Sequence, residues 1–249
     1  MKTLVFLSRF IVASTFIFSG FVKLVDPLGS SYKFQEYFSA DVLNLEFLIP
    51  FALPFSILLI LAEIMLGVML LVGYLPKFTV WSLLGIILVF LFLTWYSAYY
   101  NKVTDCGCFG DFLHLEPFQS FMKDVVLLVL ILFIFIKRNE IKPLFSDRTA
   151  TVLAYLGFLA SFLFSMHCLW HLPVIDFRPY AVGKSIPEGM LLPPGAKTDS
   201  VAMIFIYKKD GKEMELTMEQ ISTIDSTYTF VDRKDKLIRQ GDKPPIHDF

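Results

Sequence analysis

The stretch Thr104-Asp105-Cys106-Gly107-Cys108-Phe109-Gly110-Asp111 holds two of the chain's three cysteines, one residue apart, among glycines and acids. An apolar run over 78–100 precedes it and another over 121–137 follows. Runs of this kind read as membrane-spanning helices, because backbone polar groups cannot stay unpaired in lipid. The thiol pair therefore sits in a loop between two spans, at one face of a bilayer. The rest of the chain reads as a frame for it.

Outward from this loop the same composition continues. The 249 residues are 55% hydrophobic and only 18% charged, with 27 Phe. A soluble domain carries about 25% charge, so the class is integral membrane protein. A net charge of -1 gives no electrostatic case for nucleic acid. Three cysteines are too few for a disulfide framework.

Three more runs complete the spans: 3–24, 50–74 and 149–171, with a tight Tyr74-Leu75-Pro76-Lys77 turn after the second. The first run competes with a secretory signal peptide. Arg9 inside it, the missing Ala-x-Ala site and its span length favour an uncleaved helix. Between the first two spans, Ser31 to Leu43 places Phe34, Tyr37 and Phe38 at helical spacing. This predicts a short interfacial helix with aromatics at headgroup level. Lys2, Arg9, Lys77, Lys137, Arg138, Lys142 and Arg148 fall on one side if five helices alternate. The positive-inside rule then predicts a cytoplasmic N-terminus and a periplasmic C-terminus in a bacterial inner membrane. The thiol pair would face the oxidising side.

After Leu172 the chain turns polar. Val201–Tyr207, Glu213–Leu216, Thr227–Val231 and Lys236–Arg239 read as strands, with a Lys209-Asp210-Gly211-Lys212 turn after the first. A helical turn or two is expected over Thr217–Thr223. The ending at Pro245-Ile246-His247-Asp248-Phe249 predicts that something normally follows.

The chemistry concentrates at the thiols. A Cys-x-Cys pair closes only into a small strained ring, and strained disulfides exchange readily. Gly107 relieves the backbone restriction of such a ring. Cys168 lies about three residues before the end of the fifth span. At about 1.5 Å per residue this brings it near the same membrane face. The three thiols therefore read as an exchange site with Cys168 as a resolving thiol, against a static disulfide or inert small residues. Met166-His167-Cys168-Leu169-Trp170-His171 carries metal-ligand types, but helix-terminal His and Trp at an interface are commoner than metal sites, and no metal is assigned. His171 or His114 is the freer proton acceptor for Cys168. Intramembrane charges are functional candidates by default. Glu63 lies mid-span and is expected to face the bundle interior, paired or protonated. Lys23 and Lys123 are placed to lower a nearby thiol's pKa, and Asp124 to pair with one of them. Snorkelling is the competing reading for Lys23 and Arg9.

Three segments carry a resemblance: Phe18-Ser19-Gly20-Phe21-Val22-Lys23-Leu24-Val25-Asp26-Pro27, Ala62-Glu63-Ile64-Met65-Leu66-Gly67, and Asp105-Cys106-Gly107-Cys108-Phe109-Gly110 followed by Lys123-Asp124. With these, residues 1–138 resemble the DoxX-like superfamily, and within it the MauE branch. The resemblance implies a role in periplasmic disulfide formation, with a core similar to vitamin K epoxide reductase-type oxidoreductases. It implies electron exchange between substrate thiols and a quinone or a thioredoxin-like partner. The chain lacks the Cys-x-x-Cys that those reductases carry in a membrane helix. The fifth helix and tail look like the extension of Bacteroidetes-type DoxX proteins, in which a thioredoxin-fold domain follows.

The expected architecture is an all-α membrane protein. Residues 1–138 form a four-helix DoxX-like transmembrane bundle. Residues 139–172 form a cytoplasmic loop and fifth transmembrane helix, and 173–249 a small β-rich extramembrane module in the periplasm. The expected function is membrane thiol-disulfide exchange at Cys106 and Cys108 with a periplasmic thioredoxin-like or substrate protein. The rival is a non-enzymatic anchor or assembly subunit whose tail binds a partner. A transport role through Glu63 and Arg9 finds no inverted repeats to support it.

Overall fold

A computed structural model describes residues 2–100, 102–103, 106–113, 115–192, 194–196, 200–209, 212–221, 227–239, 241, 244 and 246. The chain divides into two compact units, Met1–Arg178 and Pro179–Phe249.

In the first unit, five helices among the described residues are long and apolar enough to cross a membrane. They are α1 (Lys2–Val25), α3 (Ala52–Val72, prolonged at its start by a 3-10 turn Glu46–Phe51), α4 (Pro76–Tyr100), α5 (Pro117–Ile136) and α6 (Asp147–Trp170). The chain is a multi-pass helical membrane protein. A shorter helix, α2 (Pro27–Phe38), follows α1. It begins four residues before the expected interfacial segment. Asp26 caps it by accepting from the Gly29 N–H at 3.0 Å, and Pro27 fills the first helical position. Likewise α5 starts four residues earlier than its apolar run, because Glu116 and Gln119 form a capping box ahead of it.

The core is shared by four helices. Val12, Ala13 and Phe16 of α1, Leu66 and Leu70 of α3, Val80, Leu83 and Ile87 of α4, and Leu127, Ile131 and Ile134 of α5 form one buried cluster. The helix α6 packs outside it, against α3 and α1. The closest crossing is α1 on α3. A Cβ on Gly20 would stand 2.6 Å from Ile64 Cγ1, and one on Gly67 2.7 Å from Ile17 Cγ1, so only glycine permits this approach. The crossing sets the α1 and α3 polar groups face to face.

Arg9 does not snorkel. It is buried, and its guanidinium donates to the carbonyls of Leu70 (2.6 Å), Leu71 (2.6 Å) and Lys142 (3.0 Å). It thereby satisfies orphan carbonyls at the C-terminal end of α3, which stops at Gly73 with φ +79°.

The second unit holds α7 (Ile186–Gly189), α8 (Met218–Ile221) and an antiparallel sheet of β1 (Ser200–Lys209), β2 (Lys212–Thr217) and β3 (Thr229–Arg239), in the order β2-β1-β3. The two strands expected over 227–239 are one. With no Gly, Pro or Asn to break it, β3 pairs along β1 from Lys208↔Thr229 to Ser200↔Arg239, with two irregularities. The Asp210-Gly211 turn lies outside the described residues.

Candidate functional site

The loop between α4 and α5 is fastened to the bundle at its thiols. The Ser19 hydroxyl of α1 donates to the Cys108 carbonyl at 2.8 Å. Gly107 has φ +66°, a conformation that favours glycine, and a Cβ there would meet Lys33 Cγ at 2.8 Å. This turn folds the two cysteines together. The Cys108 N–H donates to Cys106 Sγ at 3.2 Å, and the Ser120 hydroxyl lies 3.1 Å from the same sulfur. All three cysteines are free thiols. Cys106 is half-buried and Cys108 buried.

The two thiols are electrostatically unequal. Cys106 is pulled down to about 7 by the hydrogen bond from Cys108, the Ser120 hydroxyl and the Lys123 ammonium, against an opposing effect of burial. Cys108 is pushed well up by its hydrogen bond to Cys106 and by burial. One sulfur is therefore set as the thiolate and its neighbour as the proton donor. A depressed pKa and partial exposure are the conditions of a reactive cysteine.

Two buried ion pairs stand behind the thiols. Lys123 Nζ lies 3.0 Å from Asp124 Oδ1 and 5.0 Å from the Phe109 ring centroid. Asp124 Oδ2 accepts from the Thr94 hydroxyl at 3.0 Å. Asp124 Oδ1 faces Lys123 at ion-pair distance but without hydrogen-bond alignment. The second pair is Lys23 Nζ to Glu63 Oε1 at 2.5 Å, across the α1–α3 crossing. Glu63 is completely buried and its Oε2 has no hydrogen-bond partner. Thus Asp124 takes Lys123, while Lys23 is held by Glu63. A small cavity of about 10 Å³ is bordered by Glu63, Lys123 and Asp124 together.

Cys106, Gly107 and Cys108 border a pocket of about 50 Å³ that Lys23, Tyr37 and Thr94 also line. A second cavity of about 50 Å³ lies against the same loop, edged by Asp26, Asp111, Asp176 and Arg178. Gly107, Ser30 and Lys33 border both cavities. The chain after α6 reaches this loop: Phe177 stands edge-on to Phe112, centroids 5.2 Å apart.

Among the described residues, no disulfide or hydrogen bond joins Cys168 to Cys106 or Cys108. Cys168 is buried near the end of α6, with the Val174 backbone amide and the Asp26 carboxylate as its polar neighbours. His171 stacks on His167, centroids 4.5 Å apart, and is exposed. His114 lies outside the described residues. No group of three or more His, Cys, Asp or Glu among the described residues is arranged to hold a metal.

Sequence reasoning passed over the hydroxyls. Ser19, Thr94 and Ser120 each touch the thiol loop or its acid; Ser19 and Ser120 lie four and three residues before Lys23 and Lys123, and Thr94 stands alone in the apolar run of α4. Those placements were the available signal. Tyr37 was expected among headgroups with Phe34 and Phe38. It points inward instead, with its phenol 3.1 Å from the Ser97 hydroxyl. Burial raises its pKa well above the ordinary phenol range.

Residues 1–137 match the model of the family described as Methylamine utilisation protein MauE. Residues 201–240 match a domain of unknown function, DUF8463. No curated protein and no solved structure matches the chain.

Proposed function

The chain belongs to the methylamine utilisation protein MauE family, and from that premise we propose that it exchanges electrons with protein thiols through Cys106 and Cys108. The site would face the periplasm from a bacterial inner membrane, with the N-terminus cytoplasmic and the C-terminus periplasmic. The charge asymmetry of the loops supports that orientation. The observation that carries the function is the unequal thiol pair: a half-buried Cys106 favoured as thiolate beside a buried, protonated Cys108.

In the chemistry, the Cys106 thiolate and a partner cysteine share a mixed disulfide. In the reducing direction Cys106 attacks the partner's disulfide, and one partner sulfur leaves as a thiolate. Cys108 then gives up its proton and attacks Cys106 Sγ, releasing the second partner sulfur. Two electrons pass from the pair to the partner, whose two thiolates take one proton from Cys108 and one from solvent. The oxidising direction runs through the same intermediate in reverse. Lys123 steadies the thiolate, and Asp124 fixes Lys123. Cys168 and His171 have no part in these steps.

Thiol mass-tagging in cells tests this. The pair should be found in both oxidation states, and Cys108→Ser should trap a mixed disulfide on Cys106 that Cys106→Ser does not form. If both thiols stay in one state while the Cys→Ser variants behave as wild type, the proposal is wrong.

A second reading is an assembly subunit whose tail binds a periplasmic partner. It draws on the separate compact unit Pro179–Phe249 and that unit's own family match. Removing residues 179–249 separates the two. Loss of function on truncation, with no effect of Cys106→Ser or Cys108→Ser, favours the subunit.

A further inference from the structure

The exchange reading asks Cys108, a buried thiol, to give up a proton as it attacks Cys106. Two polar side chains on the wall of the thiol pocket, Lys23 and Thr94, each lead to a buried acid. Lys23 holds Glu63 Oε1, and the Thr94 hydroxyl donates to Asp124 Oδ2. Both acids are completely buried. One small cavity is bordered by both of them, together with Lys123, Ser19 and Thr15. Pocket wall, acids and cavity thus close into a ring of polar groups inside an apolar bundle.

Each acid has one oxygen engaged and one left over. Glu63 Oε2 has no hydrogen-bond partner among the described residues, and Asp124 Oδ1 has only the unaligned Lys123 ammonium. A buried carboxylate oxygen without a hydrogen bond is costly. The cavity measures about 10 Å³. A buried water needs roughly 10–15 Å³ and a few polar partners. The two carboxylates and Lys123 are such partners. A metal ion is a poorer occupant, since Lys23 and Lys123 already neutralise both acids. Ser19 ties this cavity to the thiol loop, because its hydroxyl donates to the Cys108 carbonyl.

We propose that one water occupies this cavity and bridges Glu63 to Asp124, and that the hydrated ring is the proton relay of Cys108. The proposal rests on the exchange reading above and gives Glu63 a part that reading does not use. As Cys108 attacks, its S–H bond breaks and the proton passes to a carboxylate of the ring. The sulfur's electron pair forms the bond to Cys106 Sγ. The bond from Cys106 to the partner breaks, and its electron pair stays on the partner sulfur. The ring then yields the proton to that sulfur and returns to its starting charge, so the step balances with no further reagent. Asp124 stands one hydroxyl behind the pocket wall and is the nearer acceptor. Glu63 acts through the water and is a positioning residue.

The test uses the full chain in lipid nanodiscs, thiols reduced, mixed with one equivalent of the aromatic disulfide DTNB. Attack by Cys106 releases a first coloured thiolate and attack by Cys108 a second, so absorbance reads the two steps apart. Glu63→Gln should lower the ratio of second to first rate about a hundredfold, the lower end of general-base catalysis. Lys23→Met with Glu63→Leu leaves no stranded charge should the single variant fail to fold, and it should show the same low ratio. Radiolytic labelling in heavy-oxygen water reads the water directly. It should mark Phe16 and Leu127, which border the cavity. Thr15→Leu, which places a larger apolar side chain there, should lose the mark and slow the second step. A wild-type ratio in either Glu63 variant means that Glu63 only holds the fold, and overturns the relay. No mark on Phe16 and Leu127 in wild type, or its persistence in Thr15→Leu, overturns the water site. Fewer than two thiolates per wild-type chain removes the exchange reading itself.

Discussion

Ser19 Oγ donates to the Cys108 carbonyl over 2.8 Å, so the first helix holds the loop that carries both thiols. Ser19→Ala leaves that carbonyl without its donor, at a cost of about 1–3 kcal/mol. We expect a lower unfolding temperature in detergent and slower formation of the mixed disulfide. Ser19→Thr, which keeps the hydroxyl, should recover most of both. Equal loss in Ala and Thr variants would mean the hydroxyl is not the tie.

Cys106 should titrate near neutrality. Its alkylation rate with iodoacetamide, measured against pH, is expected to be half-maximal at about 7. Cys108→Ala should raise that midpoint most and Lys123→Gln less, following the order of the groups that lower it. The pKa is depressed, so the thiolate's contribution to stability is present above the ordinary thiol range. It is lost as pH falls through about 7. A midpoint near that of free cysteine in all three proteins would contradict the thiolate assignment.

The Lys23–Glu63 pair is expected to resist single substitution and tolerate a double one. Glu63→Ala strands a buried ammonium and should cost about 3–5 kcal/mol, whereas Lys23→Met with Glu63→Leu removes both charges and should recover most of that. Thermal unfolding of the purified variants reads the difference. Two additive losses would show the residues are not partners.

Arg9 acts through geometry as well as charge. Three acceptors around one guanidinium need its planar fork, which an ammonium cannot reproduce. Arg9→Lys should therefore lose stability nearly as Arg9→Met does, by about 2 kcal/mol or more. Full retention by lysine would reduce the residue to a simple charge.

The spans could be read because lipid imposes length and apolarity one segment at a time, and neither depends on what packs beside it. Residues 1–137 accordingly showed their family in Ser19-Gly20, Ala62-Glu63 and Cys106-Gly107-Cys108. Helix starts were misjudged by four residues, since Asp26-Pro27 and Glu116 to Gln119 are polar signals that hydropathy passes over. Pairings were harder. Lys23 and Lys123 stood equally well for Asp124 in the sequence, and only the α1–α3 crossing assigns Lys23 to Glu63. The inward turn of Tyr37 depends on Ser97, sixty residues away.

The cations of α1 also bear on how the chain is made. Lys23 finds its acid 40 residues downstream, and Arg9 its first carbonyl 61 residues downstream, both on α3. Until α3 has left the ribosome, α1 carries two unneutralised charges into a membrane that disfavours them. The first helix therefore cannot settle in lipid by itself. The α1–α3 hairpin is the earliest piece of this protein in which Lys23 has its acid and Arg9 two of its three carbonyls, and insertion of α1 should be incomplete in nascent chains whose α3 is still inside the ribosome.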